Sequence, residues 1–169
     1  SHGMTKDPKF LEKNHGPWYY EMHEIGYNYR ITDFQCALGS SQLKKLDKFT
    51  ERRNEIAKKY NSYFQAQDLI TVPEKSSTVG HAYHLYPIQI HFEKLSLDKK
   101  DLFTELNTLG INPQVHYIPV HLQPYYQKKY GFKKGDFEVA EDFYDKVLSI
   151  PIYPLLDDDQ VEEVAMKVN

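Results

Sequence analysis

The stretch that decides the fold is GYNYRITDFQCALGSSQL, residues 26–43. Thr32 or Asp33 is suited to begin a helix, because a short side-chain oxygen can accept a hydrogen bond from the first unpaired backbone N–H groups. Apolar residues then recur near a 3.6-residue period, which predicts a long helical connector over 32–67. Glycine weakens a helix, so we expect a kink or a break at Gly39 and the serines after it.

The segment upstream of this helix, residues 1–31, has no helical or strand period. Prolines and glycines interrupt it repeatedly, which is typical of irregular structure. The aromatic cluster at 18–20 needs an apolar surface on which to rest. We therefore expect an irregular arm that packs on another domain or on a partner subunit.

The segment downstream, residues 68–169, alternates between strand and helix patterns. Strands are predicted over 81–92, 111–120 and 148–153. Predicted helices follow Ser96 or Asp98, start at Pro124, and follow Asp136 and Asp157. The pattern predicts an α/β (α+β) class, in which long helices precede a small sheet with flanking helices.

Bulk composition excludes several classes of protein. Apolar residues make up 40% and charged residues 27% of 169 residues, as in globular proteins rather than disordered ones. The net charge of -3 offers no basis for a nucleic-acid partner. No apolar run reaches the roughly 18 residues of a membrane span, and Ser1-His2-Gly3-Met4 does not begin a signal peptide. The single cysteine, Cys36, is predicted to lie in the core and fits a cytoplasmic location.

The first candidate site precedes the long helix. Asn28 offers both a donor and an acceptor, and Arg30 offers a planar fork of donors suited to phosphate. A helix N-terminus close by adds partial positive charge. Anion recognition is one interpretation of this segment. A turn with one solvated arginine is the other, and the residue types alone favour the turn.

The second candidate site is the run QVHYIPVH, residues 114–121. Two histidines with a glutamine and a tyrosine at a strand end could line a ligand site, and two unrelated surface histidines are the alternative. The spacing matches no standard zinc pattern, so we predict no metal site. The chain has no nucleophile motif, P-loop or dinucleotide-binding motif, so we assign no catalytic residue.

Taken together, these motifs resemble those of the DegT/DnrJ/EryC1/StrS nucleotide-sugar aminotransferases. The resemblance covers nearly the whole chain and rests on segments 26–33, 37–39, 42–43, 84–87, 110–111, 114–117, 140–141 and 149–151. The first four residues also match an internal family segment, so we expect them to be native. Segments 42–47 and 116–126 further resemble the pseudaminic-acid branch, whose members aminate a UDP-linked 4-keto-6-deoxy-N-acetyl sugar at C4.

The resemblance implies the small carboxy-terminal domain of a fold-type-I enzyme that depends on pyridoxal phosphate. It implies a homodimer with shared active sites and glutamate as amino donor. Asn28 would reach toward the cofactor phosphate and the substrate of the other subunit. Gln114, Val115, His116 and Tyr117 would line the nucleotide-sugar pocket. We add Arg30 as a candidate for binding the substrate diphosphate.

The resemblance also implies what the 169 residues lack. In the family, the lysine that forms the Schiff base, the aspartate at the pyridine nitrogen and the residue that stacks on the ring all lie upstream of the matching segments. We therefore expect these residues alone to be inactive and to hold cofactor weakly at best. A truncated chain, a proteolytic product or a split protein would each explain this. The alternative is a non-catalytic module for nucleotide-sugar binding or dimerisation.

Overall fold

The computed structural model describes residues 2–74 and 80–169. It contains two compact units, Ser1–Lys45 and Leu46–Asn169. Among the described residues, no helix combines the length and the apolar character that a bilayer crossing requires. The predicted division at 1–31, 32–67 and 68–169 stays a prediction.

The first unit begins with a small antiparallel ribbon of β1 (Met4–Thr5) and β2 (Glu21–Met22). The Glu21 carboxylate accepts hydrogen bonds from the backbone N–H groups of Glu12 and Lys13, at 2.7 and 2.9 Å. It also accepts one from the Tyr19 hydroxyl at 3.0 Å. Because one carboxylate binds several donors from the intervening loop, it orders a segment that has no regular structure.

Helix α1 (Asp33–Leu43) begins where the sequence predicts. Thr32 is the N-cap: its hydroxyl accepts a hydrogen bond from the N–H of Gln35, whose side chain accepts one from the N–H of Thr32 in return. The predicted break into two helices occurs, but not at Gly39: α1 continues through Gly39 and ends at Leu43, and the next helix begins at Leu46. A glycine costs about 1 kcal/mol relative to alanine, which is too little to interrupt a well-capped helix.

Placing Cys36 in the core was also wrong. Cys36 is exposed, and none of the 11 described residues of α1 is buried. Phe34 and Leu43 are 80% and 69% exposed. The apolar period of this helix therefore marks a surface of the unit rather than an internal core.

The second unit confirms the mixed helix and sheet class. Its three-stranded antiparallel sheet has the order β3 (Ile70–Thr71), β4 (Tyr86–Ile90), β5 (Val147–Ile150). The helices of this unit are α2 (Leu46–Phe64), α3 (Lys99–Thr108), α4 (Pro124–Tyr130), α5 (Glu138–Lys146) and α6 (Asp158–Val168).

Local capping explains which helix boundaries were predictable. The side chains of Asp98 and Asp157 cap α3 and α6, and Pro124 is the first residue of α4. The predicted cap at Asp136 is wrong, because its carboxylate accepts a hydrogen bond from the N–H of Lys133 and α5 begins after Phe137. In each confirmed case the capping group lies within its own first turn.

The predicted strand over 111–120 is also wrong. This segment contributes one isolated antiparallel bridge, between Gln114 and Ser149. Pro113 and Pro119 lack the backbone N–H group that a ladder needs, so pairing does not extend along the segment. The result is an extended connection fixed to β5 at one position.

The core of the second unit joins α2 and α6 to the sheet. Tyr60 and Phe64 of α2 and Tyr86 of β4 are fully buried, and the ring centroids of Tyr60 and Tyr86 lie 5.1 Å apart. The Tyr60 hydroxyl donates a 2.8 Å hydrogen bond to the carbonyl of Pro151, directly after β5. Burial of these aromatic rings thus fixes the strand to which Gln114 pairs.

Candidate functional site

The first candidate segment, residues 27–30, lies in the first unit. The rings of Tyr27 and Tyr29 stack with centroids 5.3 Å apart. Asn28 and Arg30 alternate with these two tyrosines along the chain. Both are exposed and line one cleft with residues at the beginning of α1, namely Ile31, Thr32 and Asp33. The structure thus brings the predicted pair together at a helix N-terminus.

Two glycines hold this segment against the chain's first residues. A Cβ atom on Gly26 would lie 2.3 Å from the backbone nitrogen of Gly3, and one on Gly3 would lie 1.8 Å from the carbonyl oxygen of Glu24. The N–H of His2 donates a 3.1 Å hydrogen bond to the carbonyl of Tyr27. Because the backbones approach so closely, only glycine fits at both positions.

The second candidate segment, residues 114–117, lies in the second unit. Gln114 and Ser149 exchange backbone hydrogen bonds of 3.0 and 2.7 Å. This pairing leaves the Gln114 side chain exposed. Val115 is half-buried and packs against the core, so it anchors the segment.

The next two residues present polar and aromatic groups outward. Nδ1 of His116 lies 2.9 Å from the hydroxyl oxygen of Ser149, a hydrogen bond that fixes the ring. The Tyr117 ring packs edge-on to it with centroids 4.8 Å apart and is 73% exposed. The strand therefore holds His116 in one orientation beside an accessible tyrosine.

The sequence patterns do not reveal a buried hydrogen bond between His121 and Glu141. Nε2 of His121 donates a 2.7 Å hydrogen bond to the carboxylate of Glu141, and both side chains are less than a tenth exposed. The predicted ligand site groups His121 with His116, but the two rings have different partners. Glu141 is the buried residue of α5, and an acidic residue on the inward face of a helix is the signal that could have revealed the pair.

Within the described ranges, no group of three or more histidine, cysteine or acidic side chains is arranged to hold a metal ion. Two side-chain amides, one guanidinium, one histidine ring and tyrosine hydroxyls are the polar side-chain groups of the two segments. Such groups bind anions and hydroxylated ligands by hydrogen bonds.

Known proteins with the same sequence pattern identify the family. The model of the DegT/DnrJ/EryC1/StrS aminotransferase family matches residues 1–169. An uncharacterized protein of Methanocaldococcus jannaschii, MJ1066, is 42% identical over 99% of the chain and 43% of its own length. The UDP-4-amino-4,6-dideoxy-N-acetyl-beta-L-altrosamine transaminase of Campylobacter jejuni is 40% identical over 90% of the chain and 38% of its own length.

A solved structure gives the same result. PseC of Helicobacter pylori, an aminotransferase involved in the biosynthesis of pseudoaminic acid, superposes with a TM-score of 0.82 at 33% identity. The match covers 99% of this chain and 42% of PseC, so the chain spans about two fifths of the length of these relatives. The family depends on pyridoxal phosphate. The chain belongs to the DegT/DnrJ/EryC1/StrS aminotransferase family.

Proposed function

We propose that this chain supplies the substrate-binding side of an aminotransferase that acts on a nucleotide sugar. The reaction transfers an amino group from glutamate to the C4 keto group of a UDP-linked 4-keto-6-deoxy-N-acetyl sugar, in pseudaminic-acid or related surface-glycan synthesis. The named functions of the C. jejuni and H. pylori relatives support this substrate class. The single cysteine supports a cytoplasmic location.

The observation that carries the proposal is the exposed pair Asn28 and Arg30 at the N-terminus of α1. A diphosphate carries negative charge and several acceptor oxygens. The Arg30 guanidinium would bind two of those oxygens at once, and the Asn28 amide would donate to a third. The partial positive charge at a helix N-terminus favours negative charge at the same place.

The segment 114–117 would bind the sugar nucleotide from the second unit. The Gln114 amide and the His116 ring can donate to or accept from hydroxyl, amide and keto groups. The exposed Tyr117 ring offers an apolar face with a polar tip. Because β5 holds this segment in place, little order would have to be gained when the substrate binds.

The hydrogen-bond donors of this chain suit the phosphate group of pyridoxal phosphate. Asn28 can donate to the cofactor phosphate, as its place beside a helix N-terminus favours. When bound, the cofactor would act as an electron sink and stabilise negative charge on the carbon atom to which the amino nitrogen is attached. None of the lysines present lies in the family's lysine motif, so we propose that the 169 residues do not transaminate alone.

We propose that the intact enzyme is a homodimer. Residues 1–31 would pack as an arm on the large domain or on a partner subunit, 32–67 would connect, and 68–169 would form the small domain. Several large apolar side chains of the first unit lie open, among them Ile25 at 98% and Phe34 at 80% exposure. Apolar groups on this scale are typical of surfaces that another polypeptide covers.

The same exposed surface favours a second candidate, a non-catalytic module for dimerisation or nucleotide-sugar binding. Static light scattering, together with titration of pyridoxal phosphate and UDP, separates the two. A stable dimer of the full-length protein that does not bind pyridoxal phosphate, with or without binding UDP, supports the module. A protein that binds both and consumes glutamate supports the enzyme.

The decisive test mixes the chain with a polypeptide that carries the upstream part of the family. We expect the mixture to acquire the absorbance of bound pyridoxal phosphate and to aminate the keto sugar. Asn28→Ala and His116→Ala should each raise the Michaelis constant for the sugar. Failure to bind cofactor or to transfer nitrogen would refute the proposal.

A further inference from the structure

The segment 114–117 is followed by a buried contact that the proposed reaction does not use. The Glu141 carboxylate lies on α5 and is 6% exposed. It binds His121 at 2.7 Å, and His121 belongs to the short 3-10 turn Val120–Leu122. This turn comes three residues after the candidate substrate segment, so Glu141 fixes the far end of that connection.

The carboxylate of Glu141 is bound on its other side as well. Both of its oxygens lie 2.9 Å from the backbone nitrogen of Gly135, and one accepts a 3.4 Å hydrogen bond from the N–H of Phe137. The Phe137 ring packs on the His121 ring with centroids 4.7 Å apart. These contacts together fix the Glu141 carboxylate and the His121 ring relative to each other.

The near end of the connection is held by the same part of the chain. Helix α5 runs directly into β5, where Ser149 pairs with the backbone of Gln114 and bonds the His116 ring. The continuous segment 138–150, which comprises α5 and β5, therefore contacts the chain between Gln114 and His121 twice: through Glu141 to His121 and through Ser149 to Gln114 and His116. Between them the chain presents the exposed side chain of Tyr117.

We propose that Glu141 and His121 form a positioning pair that holds the segment 114–117 in the geometry that binds the nucleotide sugar. The inference rests on the proposed function of that segment. Neither side chain touches substrate in this account. The pair acts through the chain that joins His121 to Tyr117, because a turn fixed at His121 restricts the backbone freedom of the residues before it.

The two half-reactions distinguish positioning from general stability. In the full-length protein loaded with pyridoxal phosphate, Glu141→Gln keeps the size of the side chain but removes its charge and one acceptor. We expect the Michaelis constant for the UDP-linked keto sugar to rise about tenfold, since His121 then bonds a neutral amide oxygen instead of a charged carboxylate and the Gly135 N–H loses one of its two acceptor oxygens. The rate of the glutamate half-reaction should stay unchanged.

Two further variants make the test specific. His121→Gln retains an N–H donor for Glu141 and should stay close to wild type, whereas His121→Phe removes it and should reproduce the effect of Glu141→Gln. The double variant Glu141→Gln/His121→Phe should be no worse than either single variant. Glu138→Gln is the matched control, because Glu138 is exposed on the same helix and has no hydrogen-bond partner among the described residues.

Hydrogen exchange reports on positioning whatever the substrate is. Glu141→Gln should accelerate exchange of the backbone amides over 114–123 while α2 and α6 keep their protection. Wild-type protein that binds cofactor but does not aminate the sugar would refute the proposed substrate and leave this exchange result to decide the pair's role. Unchanged exchange over 114–123, or equal loss over the whole unit, would overturn the positioning role.

Discussion

The hydroxyl oxygen of Ser149 lies 2.9 Å from Nδ1 of His116, so the sheet of the second unit controls the orientation of a candidate substrate-binding ring. Ser149 is itself buried, at 4% exposure. The contact spans 33 residues of sequence. A residue in a short strand thereby connects the hydrophobic core to the proposed site.

Removing this contact should affect sugar binding. Ser149→Ala removes the hydroxyl and leaves the His116 ring free to rotate. We expect the Michaelis constant for the UDP-linked sugar to rise about 2- to 10-fold, the range of one neutral hydrogen bond, in steady-state assays of the full-length protein. Ser62→Ala is the control, because the Ser62 hydroxyl bonds only a helix carbonyl at an exposed site. Equal kinetics for wild type and Ser149→Ala would show that the orientation of the His116 ring does not contribute to sugar binding.

The charge and the shape of Arg30 should have separable effects. Arg30→Lys keeps the positive charge but loses the planar fork, whereas Arg30→Ala loses both. We expect the Michaelis constant for the UDP-sugar to rise in the order wild type, lysine, alanine. The difference between lysine and alanine should shrink as salt is added, because salt screens exposed charges. A salt-independent series, or no change in any variant, would contradict a diphosphate role.

Gly26 should tolerate no side chain. Its Cβ atom would lie 2.3 Å from the backbone nitrogen of Gly3, a distance that forces the two segments apart. We expect Gly26→Ala to weaken nucleotide-sugar binding by displacing Asn28 and Arg30, as measured by titration with UDP. Gly39→Ala is the control, since a Cβ there meets no atom within 4 Å and alanine favours a helix. Identical UDP affinities for both variants would show that the close approach of the backbones at Gly26 and Gly3 does not position Asn28 and Arg30 for binding.

The fold was predictable wherever the determining contact is local. Pro124 and Asp157 begin α4 and α6 through groups within the first turn of each helix. The helix α1 was predictable but its exposure was not, because an apolar period does not say whether the surface that it meets belongs to the same unit. The bond between His121 and Glu141 spans 20 residues and forms only once α5 has packed. The substrate and cofactor roles of Asn28, Arg30 and residues 114–117 rest on the resemblance and on residue chemistry, and stay predictions.

Stability should fall in acid partly through Glu141. The hydrogen bond from the His121 ring holds the pKa of this carboxyl below its usual 4.5, and backbone N–H groups of Gly135 and Phe137 add to the effect against desolvation. A carboxyl whose pKa is depressed on folding contributes stability above its unfolded pKa and loses it as the pH falls through the folded value. We expect the urea midpoint of Glu141→Gln to depend less on pH below 4.5 than that of wild type. The Glu138→Gln control should keep the wild-type slope, and a Glu141→Gln curve parallel to wild type would contradict this assignment.

The core bond from Tyr60 should contribute to global stability. Tyr60→Phe leaves the half-buried Pro151 carbonyl without the 2.8 Å hydrogen bond that it now accepts. We expect the free energy of unfolding to fall by about 0.5–1.5 kcal/mol, the net contribution of a typical hydrogen bond, measured by urea denaturation. Tyr63→Phe on the same helix should change it by less than about 0.5 kcal/mol, since Tyr63 is exposed. A Tyr60→Phe protein as stable as wild type would show that Pro151 finds another partner.

We propose that this chain binds a UDP-linked keto sugar for amino transfer. Incubating the full-length, cofactor-loaded protein with ¹⁵N-glutamate and the UDP-linked 4-keto-6-deoxy-N-acetyl sugar shows whether nitrogen reaches that sugar. We expect a UDP-sugar that carries ¹⁵N at C4, detected by mass spectrometry, and little product from Arg30→Ala or His116→Ala under the same conditions. A folded enzyme that binds cofactor and consumes glutamate, yet leaves this sugar unlabelled, would contradict the proposal.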